Sequence, residues 1–308
     1  VLIVKNALAS RHELIYAVAA IAVILAWSFR LHLPSASENV PVIFGPINVH
    51  GRLSYVALYE TGSIVDLMYN GEFKKLSHYG PVQAVWIGQD AYLWPHKLIV
   101  GTMRGTYKCS YTLARCIRFR GLLLLPDKAY AYSKTHFFVA IWSSGIYMYH
   151  SGAWIKISGP VALRHCESLA FAHGILFAAT TAGLFESVDY GEKWLVVGPP
   201  YAVYSDVVAW KSWVIAAKWG KGLTILERNT KLVSTTELKG LGVWHIINYN
   251  GRIWAATTSG LYTTTSPLSN WHKVSQLSNA EVFNILPGTR KNYLLVEASS
   301  FDRWLNVR

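Results

Sequence analysis

Ser187, Asp189, Gly191 and Trp194 follow one another as S-x-D-x-G-x-x-W within GLFESVDYGEKWLVVG, residues 183 to 198. A carboxylate two residues from a hydroxyl suits three kinds of chemistry: holding a cation, acid–base attack on a sugar, or closing a turn by hydrogen bonds. The glycine admits a positive φ, and the tryptophan can pack over an adjoining hairpin. Cleaving a glycosidic bond requires a second carboxylate at a suitable separation, and among the 17 acids no pair stands out by its spacing.

Three cysteines, with no CxxC and no Cys/His set at zinc spacing, make a structural metal site unexpected. Cys109 and Cys116, in KCSYTLARC, either face each other across a short hairpin as a disulfide or remain two buried free thiols. Cys166 is unpaired in both cases. Arg115, Arg118 and Arg120 lie close together in ARCIRFRG and offer an anion patch. Charge on an outer strand also discourages edge-to-edge pairing, which is the simpler reason for them.

These residues need elements to position them. Only 15% of the chain is charged, against a usual share of about 25%, and 52% is hydrophobic, which argues for many buried strands rather than disorder. Twenty-nine cations against 17 anions leave +12, a bias toward lipid headgroups, acidic glycans, acidic protein faces or nucleic acid. No nucleic-acid recognition module is visible, and nucleic acid is not an expected partner.

Leu14 to Phe29 carries no charge for sixteen residues, about 24 Å of helix. Arg30 can snorkel, so Leu31 and Leu33 extend the apolar stretch toward bilayer thickness, and Pro34 stops it. We read residues 13–33 as a transmembrane helix, 1–12 as a short cytosolic N-terminus, 34–40 as a linker and 41–308 as the folded domain. Lys5 and Arg11 before the helix outnumber Arg30 after it, which directs the domain outside the membrane. A cleaved signal peptide is the alternative, since Ser35, Ala36 and Ser37 form a small-residue site.

Beyond residue 40 one pattern recurs: a turn, an apolar strand, a small or polar pair, a glycine, and a second apolar strand. HGILFAATTAGLF from His173 and NGRIWAATTSGLY from Asn250 are its clearest copies, and NYLLVEASSFDRW from Asn292 is a worn seventh. The glycines Gly62, Gly105, Gly145, Gly183, Gly222 and Gly260 are separated by 43, 40, 38, 39 and 38 residues. Further apolar stretches before and after each copy give four strands per unit. Four strands per forty residues is the signature of a β-propeller, in which each sheet covers the face of the next. We expect an all-β, seven-bladed β-propeller, although six or eight blades also suit the spacing. Trp154, Trp194, Trp271 and Trp304 are expected to begin the outermost strands.

Within this frame Ser187, Asp189, Gly191 and Trp194 fall between the third and fourth strands of a unit. The chain therefore resembles Asp-box (BNR-repeat) β-propellers, a family that includes sialidases, sortilin-type receptors and a photosystem II assembly factor. The resemblance implies that the motif is a structural brace on the rim opposite the usual ligand face. It also implies what a sialidase needs: an arginine cluster, a tyrosine nucleophile with an acidic partner, and an Arg-Ile-Pro motif, none of which is recognisable here. Arg52 and Arg104 are the early arginines that would have to substitute.

His50, His96, His136 and His173 open equivalent first turns of four successive units. Equivalent positions are spread around a ring and do not converge on one ion, so rim contacts are expected of them, with protonation at acidic pH as a secondary property. The binding face is expected in the loops that join the second strand to the third and one unit to the next, at Glu60, His78, Tyr79, Arg104, Tyr201, Trp219 and Lys221. Aromatic and cationic loop residues suit a protein or glycan partner. The functional expectation is a non-catalytic, membrane-anchored propeller displayed on a cell or enveloped virion, acting as an interaction, adhesion or assembly subunit without a cofactor. An accessory subunit of an integral-membrane complex and a glycan-binding or glycan-hydrolysing propeller are the alternatives. The absence of any Asn-x-Ser/Thr sequon among twelve asparagines argues against a heavily N-glycosylated ectodomain.

Overall fold

Strand after strand carries apolar residues on both faces, and the packing explains why. In Ile175–Thr180, Leu176 and Ala178 join a core with Phe138, Ala140 and Ile146 of the preceding sheet, while Phe177 and Ala179 join Tyr204, Val207 and Val214 of the following one. Successive side chains of a strand point to opposite faces, so a sheet sandwiched between two others must be apolar at every position. The same division recurs in Trp213–Lys218, where Val214 and Ala216 face one way and Ile215 and Ala217 the other. Alanines on these second strands let adjacent sheets approach closely, with Phe, Leu and Ile filling the space from the other side.

The computed structural model describes residues 42–49, 52–58, 64–69, 72–78, 82–87, 97–102, 105–110, 116–119, 122, 127–133, 135–227, 232–234, 237–268, 270–277, 280–287, 293–299 and 301–306. All fall within Pro41–Arg308. The expected helix at 13–33 and linker at 34–40 lie outside them. Among the described residues no helix is long and apolar enough to cross a membrane.

The chain is all-β. Its described strands form antiparallel sheets from consecutive segments, six of four strands and a last one of three. The first strands are Val42–Val49, Val82–Ile87, Asp127–Tyr132, Cys166–Ala172, Tyr204–Trp210, Val243–Tyr249 and Val282–Pro287. Each touches the next in this order, and Val282–Pro287 also touches Val42–Val49. Gly145, Gly183, Gly222 and Gly260 each open a third strand with positive φ, as the repeat demands.

One expectation is corrected. Trp154 lies in the fourth strand of its sheet, Ala153–Lys156, and Trp194 and Trp271 directly precede fourth strands, but Trp304 lies inside Phe301–Asn306, the third strand of the last sheet. The worn copy has Phe301 where the others have glycine. Its second and third strands are joined through Ala298 and Phe301, which face each other in register, so Trp304 is drawn into strand pairing opposite Leu295.

Candidate functional site

In at least five of the described sheets a bulge near the start of the first strand shapes one end. The register slips between Val82 and Ala84, Cys166 and Ser168, Tyr204 and Asp206, Val243 and His245, and Val282 and Asn284. A bulge re-aims side chains, and here it turns them toward the neighbouring sheet. Ser205 Oγ donates to Val243 O at 2.7 Å, and Trp244 Nε1 donates to Glu281 Oε1 at 3.1 Å. Asp206 joins three sheets: Oδ1 accepts from Ser168 Oγ at 2.7 Å and from Val207 N at 2.8 Å, and Oδ2 accepts from Ile246 N at 2.9 Å. His245 Nε2 lies 3.8 Å from Oδ2. The carboxylate is buried, and these donors replace the water it gives up.

At the same end run the turns that join second strands to third. In sheets four and six a threonine closes the turn: Thr180 Oγ1 donates to Gly183 O at 2.8 Å and accepts from Ala182 N, and Thr257 does the same with Gly260 and Ser259. Sheet five carries Lys218 at this position, only 6% exposed. Burial pushes its ammonium below the usual lysine range, and the like charge of Lys221 adds to that.

Trp219 follows Lys218 and donates its backbone N–H to Val203 O at 2.9 Å, bringing this turn against the loop that carries Tyr201. Tyr201 is 62% exposed and holds φ +58°. The Trp219 ring meets Trp244 edge to face at 4.5 Å, and Trp244 meets Phe283 at 6.4 Å. Tyr201, Trp219 and Lys221, chosen from sequence, thus belong to two adjoining loops. Lys218, Trp244 and Asp206 complete the neighbourhood and escaped the sequence reading. For Lys218 the signal existed: AAK stands where two other repeats have AAT. The cluster offers cations and aromatic faces, which suits an anionic or aromatic-contacting partner.

Of the other expected loop residues, Glu60, Tyr79 and Arg104 lie outside the described residues. His78 closes the strand Glu72–His78, its backbone opposite Ile64. Arg118 is exposed at the end of the short fourth strand Cys116–Arg118, while Arg115 and Arg120 lie outside the described residues. Backbone register sets Cys109 opposite Cys116. Cys166 is buried outside any disulfide, and its Sγ donates to Ser168 O at 3.3 Å.

The opposite rim holds the S-x-D-x-G-x-x-W loop. Ser187 Oγ donates to Asp189 Oδ1 at 2.7 Å and accepts from Gly191 N at 2.7 Å; Lys193 N donates to Asp189 Oδ1 at 2.9 Å, and Trp194 Nε1 to Gly191 O at 3.1 Å. The Lys193 backbone and Ser187 hydroxyl hold the Asp189 carboxyl below its ordinary range. Both groups are thus turned inward on the loop's own backbone. No group of three or more His, Cys, Asp or Glu residues suited to a metal occurs among the described residues.

Beside this loop His136 stacks between His150, at 4.3 Å, and Tyr190, at 4.2 Å, tying sheet three to sheet four. His173 Nε2 meets Lys211 O of the next sheet at 2.7 Å, while His50 and His96 lie outside the described residues. Burial first, and then His150, lower the pKa of His136 from 6.5. The folded protein therefore takes up this proton less readily than the unfolded chain, so the stabilisation is complete above the unfolded value and is lost as pH falls below it. His165, lowered by burial and by Arg164, acts in the same direction. Melting temperature should fall between about pH 7.5 and about pH 5, a span of ~2.5 units across the histidine range, and the fall should shrink in His136→Phe, which keeps an aromatic ring in the stack. Equal pH dependence in both proteins would show that the stack does not titrate with folding.

No family model matches the chain, and no curated protein matches it. Solved structures do. The extracellular domain of BT4673 from B. thetaiotaomicron superposes with a TM-score of 0.68 at 14% identity, over 89% of this chain and 39% of that one. PorZ, a surface component of the type-IX secretion system of Porphyromonas gingivalis, gives 0.63 at 15%, over 80% and 44%. YCF48 from Cyanidioschyzon merolae gives 0.59 at 15%, over 86% and 94%. The chain thus spans less than half of the first two. These neighbours are β-propellers, and the likeness establishes a propeller fold.

Proposed function

We propose that the chain is a seven-bladed Asp-box propeller that works without catalysis as a protein-interaction module, held at a membrane by residues 13–33. Its N-terminus is cytosolic and its propeller lies outside, on a cell or an enveloped virion. The blade number is supported by the seven sheets and by first strands that touch in a closed succession. Conserving the inward-turned bonds of Ser187 and Asp189 is the job of a brace, and we assign the motif that role.

The observation that carries the functional reading is the clustering of Tyr201, Trp219 and Lys221 on adjoining loops, with Trp244 at the start of the neighbouring first strand, at one end of sheets five and six. Aromatics and cations at an accessible surface are the side chains that dominate protein interfaces, and here Tyr201 is exposed while Trp219 and Trp244 are half-buried. Propellers that are extracellular or belong to protein assemblies, such as the BT4673 domain and PorZ, support a protein partner. A glycan partner, reached through the same aromatic faces, is the second reading; lipid contact is assigned to residues 13–33 alone.

The test is recovery of cross-linked partners from native membranes by the full chain and by a Tyr201→Ala/Trp219→Ala variant. Loss of two interface anchors at about 2 kcal/mol each should lower recovery by tenfold or more (~10-fold per 1.4 kcal/mol). Undiminished recovery by this variant, with loss on Tyr190→Ala, would place the interface on the opposite rim and sink the assignment.

A further inference from the structure

Among the described residues the fourth strands are the outer edges of their sheets, each paired on one side only, and their composition divides them into two kinds. Glu72–His78 carries Lys74 and Lys75, Cys116–Arg118 carries Arg118, Ala153–Lys156 carries Lys156, and His272–Lys273 carries Lys273. A cation on an edge strand keeps other strands from adding to it. Leu195–Val197 and Leu232–Ser234 carry no charge, and they belong to consecutive sheets, four and five. Leu195 is 64% and Val196 55% exposed, and Leu232 and Val233 are exposed as well. The two strands flank one seam, because Val197 shares a core with Leu226 of sheet five and Leu226 pairs opposite Leu232. Ile117 and Ile155 are also exposed, but each stands next to the cation of its own strand.

We propose that this uncharged wall of sheets four and five is the contact by which the chain pairs with a second copy of itself, Leu195–Val197 adding antiparallel to the same strand of that copy. A two-fold contact sets one patch against itself, so the patch must be its own complement. Aliphatic side chains beside an open backbone edge meet that requirement; a cationic strand does not, because like charges directly opposite each other repel. The chain as a whole carries +12, so approach of a copy is least opposed where the edge holds no cation. With pairing centred on Val196, Leu195 stands opposite Val197 of the second copy and Lys193 opposite Pro199, which keeps the two copies of Lys193 apart. Pro199 has no N–H and ends the pairing there. An anionic lipid surface or an acidic protein would instead select the edges that hold cations.

The test is sedimentation equilibrium of the detergent-solubilised full chain over a concentration series, with Val196→Lys, Leu232→Lys and, as control, Ile155→Lys. The unaltered chain should dimerise reversibly, and the dissociation constant should rise by about tenfold or more in Val196→Lys and in Leu232→Lys, the loss expected when an unpaired charge enters an interface. Ile155→Lys should dimerise like the unaltered chain. The melting temperature of Val196→Lys should stay within about 2 °C, because the side chain is exposed in a single copy. Val196→Cys should form a disulfide-linked dimer on mild oxidation, since directly opposite residues of an antiparallel pair lie about 4.5–5.5 Å apart at Cα, within disulfide reach. Ile155→Cys should not.

A chain that stays monomeric at every concentration overturns the proposal. So does a dimer equally tight in Val196→Lys, which would place the contact elsewhere, residues 13–33 included. Equal loss in Ile155→Lys would reduce the effect to added charge, and a dimer whose Val196→Cys variant gives no disulfide would not be joined at this edge; either result sinks the pairing. If the chain is monomeric and Val196→Lys loses a partner cross-linked in native membranes, the wall serves a different protein and the second copy is excluded.

Discussion

Asp206→Ala is expected to lower the free energy of unfolding by roughly 3–5 kcal/mol, the range for breaking a buried, hydrogen-bonded charge arrangement. The carboxylate accepts from Ser168 of the preceding sheet, from Val207 of its own strand and from Ile246 of the following one. Alanine leaves two backbone N–H groups and a hydroxyl without their acceptor at once, in a place where Val207 and Ile246 are buried. Asp206→Asn keeps one acceptor oxygen but turns an amide N–H₂ toward a backbone N–H, so it should recover only part of the loss. Urea denaturation followed by tryptophan fluorescence measures both. A loss below about 1 kcal/mol for alanine, the size of a single ordinary hydrogen bond, would mean that the sheets are aligned by packing alone. Because Asp206 aligns sheets four to six, the alanine variant should also loosen the face that carries Tyr201, Trp219 and Trp244.

Gly222→Ala should cost a comparable amount, roughly 2–6 kcal/mol, from backbone strain and overpacking together. Gly222 holds φ +76°, and a Cβ there would lie 2.2 Å from Glu237 O and 2.6 Å from Leu238 O, atoms of the backbone that cannot swing aside. The approach is close because Gly222 N donates to Leu241 O and Leu223 N to Glu237 O, both at 2.8 Å, which pins the following loop across the strand. Gly220, two residues earlier, provides the control: its φ is +65°, but a Cβ would meet nothing within 4 Å. Gly220→Ala should therefore cost only the backbone term, about 1–2 kcal/mol. Equal destabilisation of the two variants in urea titrations would show that the close approach is not limiting.

The repeat was legible because it is written in local chemistry. A glycine at positive φ after an apolar strand, a threonine that closes the turn beside it and alanines that let the next sheet approach each constrain residue type within a few positions, and they recur on schedule. The last sheet was harder to read for the same reason: with Phe301 in place of the glycine, nothing local announced that Trp304 would join a third strand rather than begin a fourth. Tyr201, Trp219 and Lys221 lie near one another because loops of this topology gather at one end. Lys218 was hidden inside a strand ending that otherwise repeats, and Asp206 gave no sign, since an acid in an apolar strand can be bulge, brace or error of register.

By itself, then, the sequence determined the phase of the repeating turns, the all-β character and the sheets' two-sided apolar faces, since period-2 patterning and turn chemistry act between near neighbours. Which side chains meet was decided only by the tertiary structure. Ser168 reaches Asp206, Trp244 reaches Glu281, and Asp206 reaches Ile246 across 38, 37 and 40 residues, about one repeat each. Such contacts depend on the bulge that turns a first strand toward its neighbour and on the angle at which one sheet lies against the next. Both are set by the packing of whole sheets, and no short stretch of residues carries them.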